Sequence, residues 1–373
     1  MSLPPVLQVL PSLVAGGVER GTLEIAEATI AAGGRALVAS AGGPLVGPLE
    51  RLGATHITLP LRTKSPLGLW RNAAALARLA AAEGVRIIHA RSRAPAWSAM
   101  LAARRTGAHF VTTYHGTYNE GFPGKRFYNS VMARGERVIA ISHFIAAHIR
   151  ERHGTDPARI RIIPRGVDAR RFDPALVPPE RLAALRAEWR LPEGRPVLML
   201  PGRLTRWKGQ GVLLQAMTRL SHDAIAVLVG DGPRYRRELE AEAARLGLGL
   251  GDRLRFAGHV DDMPTALLLA DLVLHCSTEP EAFGRTVIEA QAMARPVIAA
   301  DLGGPRETVI QNATGWRVPP GDPEALARAI DRALGLPAAA RAGTGEAARA
   351  HVLAHYTTAA MQQATLAVYR ELA

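Results

Sequence analysis

Three carboxylates stand within eleven residues of a strongly basic chain. The segment HCSTEPEAFGRTVIEAQA contains Glu279, Glu281 and Glu289, whereas the whole chain has 46 Lys and Arg against 33 Asp and Glu. Carboxylates this close together could act as a general acid and base, hold a metal cation, cap a helix, or accept hydrogen bonds from a hydroxylated ligand. The choice depends on the elements that position them.

Short apolar runs alternate with longer stretches of helical spacing along most of the chain. Seven strand-like runs, from VLQVL to RIIP, lie before residue 165, and six more, from VLMLPG to GWRV, follow residue 196. A strand–helix alternation predicts a mostly parallel sheet with helices on both faces. Two such alternations predict an α/β chain with two doubly wound, Rossmann-like domains.

Prolines and charges interrupt this alternation between residues 165 and 196. A chain of 373 residues is also long for a single core. We therefore expect an N-terminal domain at residues 1–170, a linker at 171–195 and a C-terminal domain at 196–355. The last stretch, 356–373, is helical and could pack on either domain.

Residues that follow strands deserve inspection, because doubly wound sheets bind ligands at the carboxyl ends of their strands. Arg203 and Lys208 flank a loop that opens a helix near Gly209, and two cations at a helix start suit a diphosphate. Gly17 begins a helix after the first strand and could face an anion, or could form a simple turn. His115 follows HFVTTY and could face a ligand or bond its own loop.

The surrounding sequence favours some of the possible roles of the three glutamates over others. The chain has no D-x-D and no HExxH, and no His or Asp stands at ligand spacing around them, so we expect no metal site. Thr286 and Glu289 have the T-x-x-E spacing of a capping box, but Glu289 could equally accept hydrogen bonds from ribose hydroxyls. Backbone N–H groups of Phe283–Thr286 at the helix start suit phosphate or sugar oxygens.

The excess positive charge is concentrated in one region. Between Arg62 and Arg137 there are 13 Lys and Arg against 3 Asp and Glu. A basic surface favours phosphates, acidic glycolipids, an anionic membrane face or nucleic acid, although a general richness in arginine would also produce it. Nucleic-acid binding is disfavoured, because aromatic residues are only 5% and no zinc or RRM pattern occurs.

Compartment signals are few. Cys276 is the single cysteine and ends an apolar run, which indicates a packed thiol in a reducing compartment. No apolar run approaches the roughly 20 residues of a membrane span, and the N-terminus resembles a first strand more than a signal peptide.

Several motifs together are similar to those of a known family. EAFGRTVIEA resembles the E-x7-E signature of retaining glycosyltransferases of the GT-B fold, family 4, with Glu281 and Glu289 at its acidic positions. GRLTRWKG resembles the arginine-to-lysine diphosphate motif, and GGVE at 16–19 resembles the first-loop glycine motif. IPRGVDARRF resembles the linker motif, with Arg165 where asparagine is usual. The resemblance runs from residue 6 to about 330.

The resemblance implies specific roles at the reacting centre. Arg203 and Lys208 would hold the diphosphate and stabilise the leaving group. Glu281 would contact hydroxyls of the transferred sugar, and His115 would sit beside the reacting sugar. Arg165 lies in the linker motif, so we expect its departure to leave these roles unaffected.

The resemblance also implies how the donor is bound. Glu289 would hold the ribose and Val260 would lie near the base. The backbone donors would come from one loop and one helix start: Phe283, Gly284, Arg285, Thr286 and Gly17. The nucleotide-diphosphate sugar is a co-substrate, so no cofactor and no metal are expected.

The implied function is transfer of a hexosyl group, with retention, to a lipid-linked, lipopolysaccharide or polysaccharide acceptor. The acceptor would bind the N-terminal domain, the donor would bind the C-terminal domain across an interdomain cleft, and helix 356–373 would pack back on the N-terminal domain. A cytoplasmic location is expected, with peripheral binding to an anionic inner-membrane face as one option. A sugar-phosphate synthase or nucleotide-sugar epimerase is the alternative enzyme, and a nucleic-acid-binding protein is the distant one.

Overall fold

The computed structural model describes residues 3–14, 16–121 and 123–373. Contacts divide these residues into two units. Unit 1 contains the chain up to Arg165 together with Thr358–Ala373, and unit 2 contains Gly166–Thr357. Residues 166–195, expected as the end of a domain and a linker, therefore belong to unit 2 in the structure.

Unit 1 is built on a parallel sheet with the strand order β3-β2-β1-β4-β5-β6-β7. Its strands are β1 (Val6–Val9), β2 (Ala36–Ser40), β3 (Thr55–Thr58), β4 (Ile87–Ala90), β5 (His109–Tyr114), β6 (Arg137–Ala140) and β7 (Ile160–Ile162). Its helices are α1 (Gly17–Ala31), α2 (Val46–Arg51), α3 (Pro66–Ala82), α4 (Arg93–Thr106), α5 (Lys125–Ser130) and α6 (His143–His153). The strand order reverses between β1 and β4, which makes the carboxyl ends of these strands the expected ligand-binding edge.

The last helix of the chain completes the core of unit 1. Met361, Leu366 and Tyr369 of this helix pack in one buried cluster with strand residues that include Val6 and Ile87. The Tyr369 hydroxyl also lies 2.6 Å from Nδ1 of the buried His89 on β4. The terminal helix, Thr358–Leu372, is thus an integral part of this unit.

Unit 2 repeats the architecture, with the strand order β10-β9-β8-β11-β12-β13. Its strands are β8 (Val197–Pro201), β9 (Ile225–Val229), β10 (Leu254–Gly258), β11 (Leu272–His275), β12 (Val297–Ala300) and β13 (Gly315–Val318). Its helices are α7 (Pro179–Glu188), α8 (Gln210–Met217), α9 (Pro233–Arg245), α10 (Met263–Leu268), α11 (Arg285–Ala292), α12 (Pro305–Thr308), α13 (Pro323–Leu334) and α14 (Ala338–His355). The terminal helix of unit 1 is numbered α15 (Thr358–Leu372).

Both parallel sheets form because buried apolar strands alternate with helices along the chain. In β8 and β9 every residue is buried, which is typical of parallel strands covered on both faces. The predicted α/β class with two Rossmann-like sheets is therefore confirmed. In unit 2 the strand order reverses between β8 and β11, so the loops that follow these two strands carry the candidate site.

Candidate functional site

An ion pair between Lys208 and Glu281 forms the centre of the candidate site in unit 2. The two side chains are 13% and 11% exposed, so the pair is largely removed from solvent. His275 Nε2 lies 2.9 Å from Glu281 Oε1, and the Ser277 hydroxyl donates to the same oxygen at 2.8 Å. Three donors thus converge on Oε1, and none of them uses Oε2.

A close approach between α8 and the end of β11 brings Lys208 to Glu281. At Gly209, which has φ of 75°, a Cβ atom would lie 1.9 Å from the Cys276 carbonyl oxygen, so only glycine fits. The backbone N–H of Thr278 donates to the Trp207 carbonyl at 2.8 Å. These contacts fix the turn that carries Lys208 against the loop that carries Glu281.

The loop after β12 holds Glu281 from another direction. The backbone N–H of Gly304 donates to the Glu281 carbonyl at 2.8 Å. Two residues further along the chain, the Phe283 ring packs edge-on against Tyr356, with centroids 5.8 Å apart. The acidic loop is therefore anchored by its backbone and by a buried ring, which leaves its carboxylate oriented.

The electrostatic environment decides what Glu281 can do. Burial alone would raise the pKa of Glu281, but the charge and hydrogen bond of His275, together with those of Lys208, hold this pKa well below its ordinary 4.5. Glu281 is therefore a carboxylate that accepts hydrogen bonds and is unsuited to donating a proton. Burial raises the pKa of the neighbouring Cys276 thiol to about 12, as befits a packed rather than a nucleophilic cysteine.

The capping-box prediction for Glu289 is wrong. Helix α11 begins at Arg285, its N-cap is Gly284, and no side chain caps it. Thr286 is already inside the helix, because the left-handed backbone at Gly284 starts the helical turn earlier than the T-x-x-E spacing suggested. Glu289 is consequently the fifth helical residue, 8% exposed, with its carboxylate 3.8 Å from Arg285 Nε.

The remaining predicted residues of unit 2 follow strands at the same edge of the sheet. Arg203 follows β8 and is exposed, and its carbonyl accepts a hydrogen bond of 3.0 Å from Gln210. The Lys208 side chain passes over Gly202, the residue before Arg203, 3.7 Å from the position of a Cβ atom there. Val260 follows the edge strand β10, which β9 separates from β8.

In unit 1, His115 follows β5 and is hydrogen-bonded to Arg165, with 2.8 Å between Nδ1 and Nη2. A guanidinium can only donate, so Nδ1 accepts and a neutral ring carries its proton on Nε2. This Nε2 is buried and has no hydrogen-bond partner within the described ranges. Arg165, expected in the linker, is therefore part of unit 1 and contacts a predicted site residue.

Two buried arginines surround this histidine. Burial, followed by the charges of Arg165 and Arg91, holds the pKa of His115 well below 6.5, so the imidazole is neutral. Gly21 on α1 makes room for both guanidiniums: a Cβ atom there would lie 2.3 Å from Arg165 Nη1 and 2.8 Å from Arg91 Nη2. Gly17 is the first residue of the same helix.

Sequence reasoning missed His275 and Ser277, which complete the hydrogen bonds of Glu281. Their one sequence signal is position, because His275 ends β11 and Ser277 follows it at the carboxyl edge of the sheet. Among residues 3–14, 16–121 and 123–373, no group of three His, Cys, Asp or Glu side chains could hold a metal ion. No helix in these ranges has the length and apolar character needed to cross a membrane.

Comparisons with known proteins establish the family. Residues 183–351 match the family model Glycosyl transferases group 1, and residues 15–171 match the model Glycosyltransferase Family 4. The chain belongs to the group 1 glycosyltransferases, as its motifs implied.

Individual relatives agree with this assignment. The chain is 35% identical over 219 residues to a D-inositol 3-phosphate glycosyltransferase of Salinispora tropica, an alignment that covers 55% of this chain and 45% of that protein. It is 32% identical over 266 residues to a GDP-mannose-dependent alpha-(1-6)-phosphatidylinositol monomannoside mannosyltransferase of Mycobacterium tuberculosis, covering 65% of this chain and 67% of that one. The chain spans about half the length of the D-inositol 3-phosphate glycosyltransferases that it matches.

Solved structures show the same fold. A glycosyltransferase from Rickettsia africae ESF-5 superposes with a TM-score of 0.92 and 37% identity, covering 100% of this chain and 99% of that one. Anabaena Alr3699/HepE in complex with UDP has a TM-score of 0.87 and 26% identity, covering 98% and 100%.

The buried ion pair predicts a specific pH dependence of stability. Because the folded-state pKa of Glu281 is lowered, its contribution is present above the unfolded-state value near 4.5 and is lost as the pH falls through the folded value. Glu281→Gln leaves Lys208 buried and unpaired, and we expect it to lower the free energy of unfolding by about 3 kcal/mol at pH 7.

Urea unfolding between pH 3 and pH 7 measures this difference, which should shrink progressively below pH 4.5. Glu279→Gln is the matched control, because Glu279 is exposed and forms no ion pair with a described residue. A stability difference for Glu281→Gln that stays constant with pH would contradict the assignment.

Proposed function

We propose that the protein is a retaining glycosyltransferase that moves a hexosyl group from a nucleotide-diphosphate sugar to a lipid-linked or saccharide acceptor. The observation that carries this proposal is the buried Lys208–Glu281 pair at the carboxyl ends of β8 and β11, with Arg203 in the loop that follows β8. Relatives that use GDP-mannose and a structural neighbour that binds UDP support a nucleotide sugar as the donor.

Lys208 and Arg203 are the proposed diphosphate ligands. When the sugar departs, negative charge grows on the diphosphate, and cations already fixed in place stabilise it at little reorganisation cost. Lys208 is fixed by Glu281 and by the Trp207 ring, whose centroid lies 4.6 Å from Nζ. Two protein cations supply the charge stabilisation, so the proposed reaction needs no metal.

The two glutamates are proposed to bind hydroxyls. Glu281 keeps Oε2 clear of its three donors, and that oxygen can accept a hydroxyl of the transferred sugar. Glu289 is buried on α11 and is not a helix cap, so capping does not compete with its proposed bond to the ribose.

The remaining proposed contacts with the nucleotide sugar come from loops and helix starts. Backbone N–H groups of Phe283–Thr286 at the start of α11, and of Gly17 at the start of α1, are suited to phosphate or sugar oxygens. Val260, which follows β10, is proposed to lie near the base. His115 offers a neutral Nε2–H donor to the reacting sugar.

The proposed chemistry retains the anomeric configuration. An acceptor hydroxyl oxygen forms a bond to the anomeric carbon while the bond from that carbon to the diphosphate oxygen breaks. The diphosphate oxygen takes the hydroxyl proton, and both events occur on the same face of the sugar. Because Glu281 is hydrogen-bonded on Oε1 by three donors, it is better placed to orient the sugar than to form a covalent intermediate.

Lys208→Ala should lower the rate of transfer by about 10²- to 10³-fold, because it removes a donor aimed at the developing charge. Arg206→Ala is the matched control: Arg206 is on the same turn, is exposed and pairs with Glu238. Its transfer rate should stay within about twofold. Wild-type turnover in Lys208→Ala would refute the diphosphate assignment. Arg203→Ala tests it again at an exposed cation, whose removal should leave the fold intact.

Thermal-shift measurements with UDP-, GDP-, ADP- and TDP-sugars identify the nucleotide sugar that the protein binds. A donor at 100 times its Kd stabilises the folded chain by about 2.7 kcal/mol, which is a measurable shift. A panel in which no nucleotide sugar shifts the transition would refute the proposed function.

A cytoplasmic location and binding to an anionic membrane face are proposed on the charge of unit 1. The 13 Lys and Arg between Arg62 and Arg137 are accompanied by exposed Leu67, Trp70 and Phe127, at 57%, 57% and 63% exposure. Cations and exposed aromatic side chains together suit a membrane interface.

This surface predicts salt-dependent binding to vesicles. The protein should sediment with anionic vesicles at low ionic strength and less at high ionic strength, because salt screens exposed charges. Neutral phosphatidylcholine vesicles are the control. Sedimentation that is absent, or equal at both ionic strengths, would argue against a membrane-facing surface.

A further inference from the structure

A cavity of about 750 Å³ opens in unit 1 at the carboxyl edge of its sheet. Its wall includes Pro11 after β1, Arg62 after β3, Ser92 after β4 and Asn119 after β5. His115 also follows β5, so the cavity and the imidazole belong to the same edge of the sheet. Ligands of doubly wound sheets bind at this edge, and the volume lies within the range of ligand pockets.

Positive charge dominates the wall of the cavity. Arg62, Lys64, Arg93 and Lys125 line it, and its lining contains no Asp or Glu. None of these four cations forms an ion pair with any residue in the described part of the chain. Like charges gathered around one cavity repel each other, and an anion bound among them relieves that repulsion.

Arg93 is oriented without being neutralised. Its Nη1 donates to Asn129 Oδ1 at 2.8 Å, and its guanidinium stacks over the Tyr118 ring, 4.2 Å from the centroid. Both partners are uncharged, so they fix the position of the cation and leave its charge for a ligand. Arg93 is also the first residue of α4, whose amino end adds the positive end of a helix dipole to the same wall.

We propose that this cavity binds an anionic group, a phosphate or a carboxylate, on the acceptor. The inference rests on the proposed function and narrows its acceptor to an acidic one. The anionic group can belong to a soluble sugar phosphate or to the headgroup of a lipid. In either case the cavity binds the negative charge, and the attacking hydroxyl belongs to the same acceptor molecule.

Binding is measured by titration calorimetry with inorganic phosphate, with D-inositol 3-phosphate, and with phosphatidylcholine vesicles that contain phosphatidylinositol. The double variant Lys64→Ala/Lys125→Ala should weaken binding at least about tenfold, because each substitution removes a charge-assisted contact. The double variant Arg51→Ala/Arg78→Ala removes two exposed charges of unit 1 outside the cavity and should change binding less than about twofold.

The three probes separate the sources of the anionic group. Tenfold weakening with a soluble phosphate indicates a free acidic acceptor, and weakening confined to vesicles indicates a lipid headgroup. The proposal is overturned if no probe binds the wild-type protein, or if the cavity variant binds every probe as tightly as the wild type. Nucleotide-sugar binding, measured on the same variants, should be unchanged, so failure of the cavity proposal is distinct from failure of the donor site.

A second inference follows independently from the hydrogen bond between Arg165 and His115. Arg165 is 5% exposed, and it contacts a residue 50 positions earlier in the chain. We infer that Arg165 is a positioning residue that keeps the His115 proton on Nε2. The inference rests on the proposed role of His115, in which a proton on Nε2 lets the ring donate a hydrogen bond to a sugar oxygen.

A double-mutant cycle of Arg165→Ala and His115→Ala tests this inference. If Arg165 acts through His115, the double variant should transfer sugar within about twofold of His115→Ala alone, because effects in one network do not add. Additive losses would overturn the inference. Circular dichroism and a cooperative thermal transition report whether each variant is folded.

The tautomer itself is read from long-range ¹H–¹⁵N correlations of the imidazole. The wild type should show the Nε2–H form of His115, and Arg165→Ala should lose that preference. An unchanged tautomer in Arg165→Ala would overturn the inference, whatever the activity of His115→Ala. Loss of activity in His115→Ala is the separate test of the proposed role of the histidine.

Discussion

Burial of the Lys208–Glu281 ion pair is the constraint on which the candidate site of unit 2 depends. Removing two charges from water costs several kcal/mol for each ion, and their attraction offsets this cost only when the geometry is good and further hydrogen bonds are made. His275 and Ser277 supply those bonds. The absence of a side chain at Gly209 supplies the geometry, since it lets the turn that carries Lys208 approach the Cys276 carbonyl.

The same constraint links stability to function. In the proposed function, a cation and an acid that hold each other in place would bind a diphosphate and a hydroxyl with little reorganisation, and preorganised charge is the largest contribution to many enzymatic rates. Unit 1 shows a related pattern, because Arg91 and Arg165 are both buried around a neutral imidazole. Two buried like charges are unfavourable for folding alone, and such local conflicts are expected where a site serves a ligand.

Much of the fold could be predicted from the sequence because parallel strands leave a strong local signal. Runs such as VLQVL and AIAVLVG are apolar on both faces, and the stretches between them have helical spacing, so the βα alternation was visible without any tertiary information. Helix starts were less predictable. The T-x-x-E spacing at Thr286 and Glu289 fitted a capping box, but the backbone at Gly284 set the start of the helix first.

The candidate site was predictable only where a motif marked it. Arg203, Lys208, Glu281 and Glu289 stand in short motifs, whereas His275 and Ser277 have no pattern beyond their place at the end of a strand. The contact between Arg165 and His115 joins residues 50 positions apart, and no local rule contains it.

This contact also changes how a departure from a family motif should be interpreted. Considered within its motif, Arg165 looked like a linker substitution without consequence. In three dimensions its guanidinium lies in the space that Gly21 leaves open and determines which nitrogen of His115 accepts a hydrogen bond. Since a guanidinium can donate but cannot accept, whereas an asparagine amide can do either, arginine permits only one tautomer of a neutral imidazole at this bond. Arg165 therefore restricts the hydrogen bonding of His115, a residue that lies outside the motif.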